Sequence, residues 1–163
     1  MGRRGFTLLE LAVALAVACI LAALATLNFG EYQRRYGVEM QTRRMLADFL
    51  AARQSAFIQH RTVRVKVYAR RLEVYSSAVD GVSPIVRRDL GYPLVWNNPA
   101  RDGDPAAVTD FDGKGTTAAR RSICVDGDGA GAGFDSLVVS PTRIGIGRRI
   151  QGAECDAEHI TKR

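Results

Sequence analysis

The chain has 163 residues, of which 47% are hydrophobic and 25% charged, and a formal charge of +6 at pH 7. That length leaves room for one domain of ordinary size, and the apolar share overstates its core because much of the Leu, Ala and Val lies before residue 28. The positive excess, two charges of which are Arg3 and Arg4, is compatible with a solvated surface; only clustering of the basic residues would argue for an acidic partner.

Residues Met1 to Leu27 read MGRRGFTLLELAVALAVACILAALATL: a short basic leader, a Gly-Phe junction, and an apolar helix carrying a single carboxylate, Glu10. At 1.5 Å per residue the run from Phe6 to Leu27 spans about 33 Å, enough for a bilayer core. Arg3 and Arg4 precede it, so the positive-inside bias places leader 1–5 in the cytoplasm and the remainder of the chain across the membrane. A secretory signal peptide is the rival reading, but it needs a small-residue cleavage site after a shorter apolar region.

Glu10 is the residue to explain. A carboxylate inside hydrocarbon costs about 2.5–3.5 kcal/mol on insertion scales, and such an acid calls for a partner. No Lys, Arg or His occurs between Phe6 and Leu27. The partner is therefore a new charge or another chain, and a cut between Gly5 and Phe6 supplies the first by leaving an α-ammonium on Phe6. Phe6 and Glu10 are one helical turn apart, so the two charges can meet within one chain or between staggered neighbours. The competing reading wets Glu10 at the membrane interface near the helix end.

Beyond the span the helical pattern continues in EYQRRYGVEMQTRRMLADFLAARQSAFIQH. Leu46, Leu50 and Phe57 lie along one stripe, with Phe49, Arg53 and Ala56 beside it, and this stripe is expected to cover a sheet. Gly30 and Gly37 allow either a bend or a continuous helix. From Thr62 the period alternates: Val63, Val65 and Val67 share one face with Arg64 and Lys66 on the other, and Leu72 and Val74 repeat the pattern, which predicts a hairpin. Further strands are expected at Pro84–Arg88, Pro93–Trp96, Arg121–Val125, Ser136–Ser140 and Arg143–Ile146, between Gly, Asp and Pro clusters. The expected fold class is α+β: a long N-terminal helix, its first half transmembrane, packed on a C-terminal antiparallel β-sheet domain. The segments are leader 1–5, a transmembrane and assembly helix 6–29, an amphipathic continuation 30–60, and a periplasmic β-rich globular domain 61–163.

Of the three cysteines, Cys19 lies in the span, whereas Cys124 and Cys155 share the outer domain. A compartment beyond the membrane permits them to bridge, and the alternative is two unpaired thiols. Neither spacing suits a zinc site.

The stretch RRGFTLLELAVALAVACILAALA resembles the amino-terminal signature of type IV pilins and of the pseudopilins of type II secretion. The resemblance implies that a prepilin peptidase cuts after Gly5 and methylates Phe6, and that Glu10 docks the subunit among other major and minor pilins or pseudopilins in a filament that leaves the inner membrane. Farther on, VTDFDGKGTTAARRSICVDG and FDSLVVSPTRIGIGRRI resemble the carboxy-terminal region of the GspH/FimT subgroup, in which a Phe-x-x-x-Gly turn precedes a strand and a Ser-Pro-Thr turn joins the last two strands. The pilin-like fold is what this likeness implies. Some FimT-like members bind DNA through a Gly-Arg-x-Arg motif; here Gly145 is displaced from it, and the matching residues are Arg143, Arg148 and Arg149. Positive charge suffices for phosphate contact, but no aromatic residue interleaves them to stack bases, so a solvated basic strand end competes with a DNA site.

Other functions find less in the sequence. Asp126, Asp128 and Asp135 lack the spacing of a calcium loop and read as a turn. His60 and His159 are the available neutral-pH bases, and no nucleophile motif accompanies them, so neither an enzyme nor a cofactor is expected. The pairs Arg34-Arg35, Arg43-Arg44, Arg70-Arg71, Arg87-Arg88 and Arg120-Arg121 are scattered along the chain and read mostly as solvated surface, with Arg34 and Arg35 near lipid headgroups.

Overall fold

The computed structural model describes residues 7–79, 81–97, 106–127, 133–150 and 152–162, the side chains of 24–28 and of Lys162 excepted. The chain divides into two compact units, Met1–Arg34 and Arg35–Arg163. A single helix, α1 (Leu8–Gln59), runs through Gly30 and Gly37 without a break. From Leu8 to Ala23 its described side chains are all exposed. Among the described residues no helix is long and apolar enough to cross a membrane. The described apolar stretch 8–23 measures about 24 Å, short of a bilayer core of about 30 Å, and the expected span 6–29 includes Phe6 and the side chains of 24–28, outside the described residues.

Among the described residues of the second unit nine strands follow: β1 (Val63–Tyr68), β2 (Arg71–Tyr75), β3 (Val86–Asp89), β4 (Leu94–Trp96), β5 (Ala107–Phe111), β6 (Arg121–Val125), β7 (Ser136–Val139), β8 (Ile144–Arg149) and β9 (Ile160–Lys162). They form two sheets rather than the one expected, in the orders β3-β2-β1-β5 and β4-β6-β7-β8-β9, with every paired strand antiparallel. The predicted hairpin is β1–β2, with Val67 opposite Leu72 and Val65 opposite Val74. Strands β5 and β9 were not among those expected from the sequence.

The core joins the inner faces of both sheets to one stripe of α1: Val38, Thr42, Met45, Phe49, Ala52 and Ala56 are buried, as are Val63, Val65, Val67, Leu72, Phe111, Ile123, Val125, Leu137 and Val139. This corrects the expected helix stripe. Phe49 and Ala56 face the sheets, but Leu46 only partly joins them, and Leu50 and Phe57 are exposed. The reason is steric: the small residues Ala52 and Ala56 let the helix approach closely, and Thr42 enters the core because its Oγ1 donates to the Val38 carbonyl at 3.0 Å. Two polar ties add to this packing. Gln41 brackets the backbone of Tyr92, donating to its carbonyl at 2.8 Å and accepting from its N–H at 2.9 Å, and Arg88 of β3 meets Asp48 at 2.8 and 3.0 Å.

The helix ends in a left-handed cap. His60 has φ 48°, the Arg61 N–H donates to the Ala56 carbonyl at 3.3 Å, and the His60 N–H donates to that of Phe57 at 3.4 Å. Gly113 lies against this cap, where a Cβ would come within 2.9 Å of the His60 carbonyl carbon. Backbone cannot step aside as a flexible side chain does, so Gly113→Ala is expected to destabilise the fold by about 1–3 kcal/mol. The urea midpoint of the detergent-solubilised chain measures this, and an unchanged midpoint would show that the close approach carries no weight.

Candidate functional site

The N-terminal turn of α1 is built by Thr7 and Glu10. Thr7 stands just before the first helical residue, and the Leu11 N–H donates to its carbonyl at 3.2 Å. The Thr7 N–H and Oγ1–H both donate to Glu10 Oε2 at 3.3 Å, while the Glu10 N–H donates to Thr7 Oγ1 at 3.3 Å. This is a reciprocal capping box, in which a Thr and a Glu three residues later satisfy the helix's first N–H groups. The partial positive charge at a helix start adds to the hold on a carboxylate there. Thr7 was not singled out in the sequence, although the Thr-x-x-Glu spacing ahead of an apolar run is a readable signal.

Glu10 is exposed, on a helix whose described side chains from Leu8 to Ala23 are solvent-facing and, Glu10 apart, uncharged. A surface apolar on all sides requires an apolar environment, either lipid or neighbouring helices. Two of the contacts with Thr7 reach the carboxylate, both at Oε2 and both 3.3 Å long. Gly5 and Phe6 lie outside the described residues.

The remaining candidates are dispersed. Cys124 and Cys155 form a disulfide that fastens the tail to β6, and with Val138 and Ile160 they make a second, smaller core. Cys19 is free and exposed on α1. Arg143 and Arg148 are exposed at opposite ends of β8, separated by about 16 Å of strand at ~3.3 Å per residue. The Arg149 guanidinium lies 3.9 Å from Asp126, and its backbone N–H donates to Asp135 Oδ1 at 2.8 Å. Asp126 and Asp135, read from the sequence as a turn, are thus both turned toward Arg149, and Asp128 lies outside the described residues. Among the described residues no group of His, Cys, Asp and Glu is placed to hold a metal ion.

Several basic pairs are tied to acids. Arg43 meets Glu39 within α1, and Arg64 meets Asp110 across β1 and β5 at 2.7 Å. Glu73, buried on β2, accepts from Arg71 at 2.9 Å and lies 3.9 Å from Arg87. The Tyr75 hydroxyl also donates to Glu73, at 2.6 Å, and this bond to a carboxylate, with burial, holds the phenol well above its ordinary pKa.

Residues 1–26 match the family model described as the prokaryotic N-terminal methylation motif. No curated protein sequence matches the chain. Among solved structures the fold is similar to that of the type IV minor pilin FimU of Pseudomonas aeruginosa PAO1. One crystal form gives a TM-score of 0.54 at 16% identity, covering 71% of this chain and 91% of that one. A second crystal form gives 0.51 at 17% identity, covering 66% and 90%. Identity this low speaks for the fold alone, and the motif is a separate observation carried by the sequence.

Proposed function

We infer that this chain, which joins an N-terminal methylation motif to the fold of a type IV minor pilin, is a minor structural subunit of a type IV filament, either a pilus or a type II secretion pseudopilus. Prepilin peptidase cuts after Gly5 and methylates Phe6. Helix 6–29 holds the subunit in the inner membrane as a single pass, with leader 1–5 in the cytoplasm and domain 61–163 in the periplasm, until the Phe6 amine and Glu10 dock it among other pilins or pseudopilins. The head supplies contacts rather than catalysis. The observation that carries this reading is the motif over 1–26, with Glu10 at the start of an apolar helix that leads into a pilin fold.

The alternative, a FimT-like subunit gripping DNA through Arg143, Arg148 and Arg149, draws less support from the geometry, since Arg143 and Arg148 lie toward opposite ends of β8 and the Arg149 guanidinium faces Asp126 at 3.9 Å. Processing tests the preferred reading. Gly5→Ala is expected to leave unprocessed precursor in the inner membrane, seen as a slightly heavier band, and normal maturation of that variant would contradict the assignment.

A further inference from the structure

The helix stripe of Leu50 and Phe57, apolar yet turned away from the sheets, forms one wall of a groove of about 440 Å³ lined by Leu50, Arg53, Gln54, Phe57, Lys114 and Gly115. Its apolar residues are exposed by 43% at Leu50 and 57% at Phe57, well beyond what a side chain belonging to the core shows. The opposite wall is the turn Asp112–Thr116. Asp112 holds this turn in shape: its Oδ1 accepts from the N–H groups of Lys114 and Thr116 at 3.0 and 2.8 Å, and its Oδ2 from Thr116 Oγ1 at 2.8 Å. The Thr116 bonds hold the Asp112 carboxyl below its ordinary pKa, so it remains ionised and engaged by its own turn. Gly115, with φ +72°, brings the turn against the helix, where a Cβ would meet Arg53 Cγ and Phe57 Cβ at 3.6 Å. The groove is thus a formed feature with an apolar floor, and the charged residues that line it, Arg53 and Lys114, are both basic.

We propose that this groove docks an acidic, apolar-faced segment of a different filament subunit, whose apolar side chain sits between Leu50 and Phe57 and whose carboxylates meet Arg53 and Lys114. Charge favours this occupant over the helix of a second copy. A second copy of the chain would offer its own α1, which beyond residue 30 carries Arg34, Arg35, Arg43, Arg44 and Arg53 against Glu31, Glu39 and Asp48, a net basic surface that a basic groove disfavours. The proposal rests on the filament-subunit reading and adds the surface and the chemistry of its partner.

The test places a photo-cross-linking amino acid at Leu50 or Phe57 of the full-length chain in its own cells, with exposed Arg70 as the control position. Incorporation into sheared filaments is measured first; its absence overturns the filament reading itself. Where the chain does incorporate, the expected result is a cross-link from Leu50 and Phe57, but not from Arg70, to a distinct filament subunit identified by mass spectrometry. The double variant R53E/K114E should lower its yield about tenfold. No cross-link from either position, cross-links only to copies of the same chain, or a yield indifferent to charge reversal would overturn the groove assignment and leave the filament reading standing. Because these side chains are exposed or half-buried, retention of maturation and of the Cys124–Cys155 bond serves as the folding control.

Discussion

Glu10→Ala is expected to be cut after Gly5 and methylated like the parent chain, yet to enter filaments at least about tenfold less efficiently, because the carboxylate is lost and the Phe6 amine it would pair with is left without its partner at the assembly step. Glu10→Gln separates the two jobs of this side chain. Glutamine closes a capping box as glutamate does, so the contacts to Thr7 survive while the charge is lost. If the carboxylate acts by pairing with the Phe6 amine of a neighbour, Gln and Ala assemble equally poorly. Were capping its main role, Gln would assemble like the parent, and Ala would show only the loss of a cap, about 0.5–2 kcal/mol of helix stability. Quantitative immunoblots of sheared filaments against whole-cell mature protein decide between these outcomes.

Removing the disulfide should have the largest effect on the stability of the head. Cys124 and Cys155 close a loop with a sequence separation of 31, for which the chain-entropy model gives about 3–4 kcal/mol. The bond also holds the tail over β6. Without it β9 retains its short pairing with β8, Asn97 Nδ2 its bond to Asp156 at 2.8 Å, and Ile160 its packing on Val138. The double variant C124A/C155A is therefore expected to lower the urea midpoint in proportion and to become cleavable within the tail at protease concentrations that spare the parent. A midpoint and digestion pattern identical to the parent's would show that the second core holds the tail unaided.

The parts of the fold that were legible in the sequence are those in which burial coincides with large apolar side chains. Strand β1 alternates cleanly, β2 buries the expected Leu72 and Val74, and β6 lies at the expected residues because Ile123 and Val125 mark its inner face. Strand β5 escaped because its inward residues are Ala107, Thr109 and Phe111, of which only the last carries a strong apolar signal. Strand β9 is three residues long, and its pairing is set by β8 rather than by a pattern of its own. The helix stripe was misplaced for a related reason: close packing on a sheet favours Ala52, Ala56 and a back-bonded Thr42 over Leu50 and Phe57, which a hydrophobicity pattern ranks higher. At the N-terminal site the acid was plain from its isolation in an apolar run, whereas its partner Thr7 required attention to capping rather than to charge. The arginines of the last strands looked like neighbours in the sequence, but β8 extends between them.

The central claim is that proteolysis after Gly5 creates the cation that Glu10 needs. Intact-mass and N-terminal peptide measurement of the chain recovered from filaments tests it most directly. The expected product begins at Phe6 with a single methyl group on its amine; filament-borne chain that still begins at Met1, with no methyl mark, would contradict it.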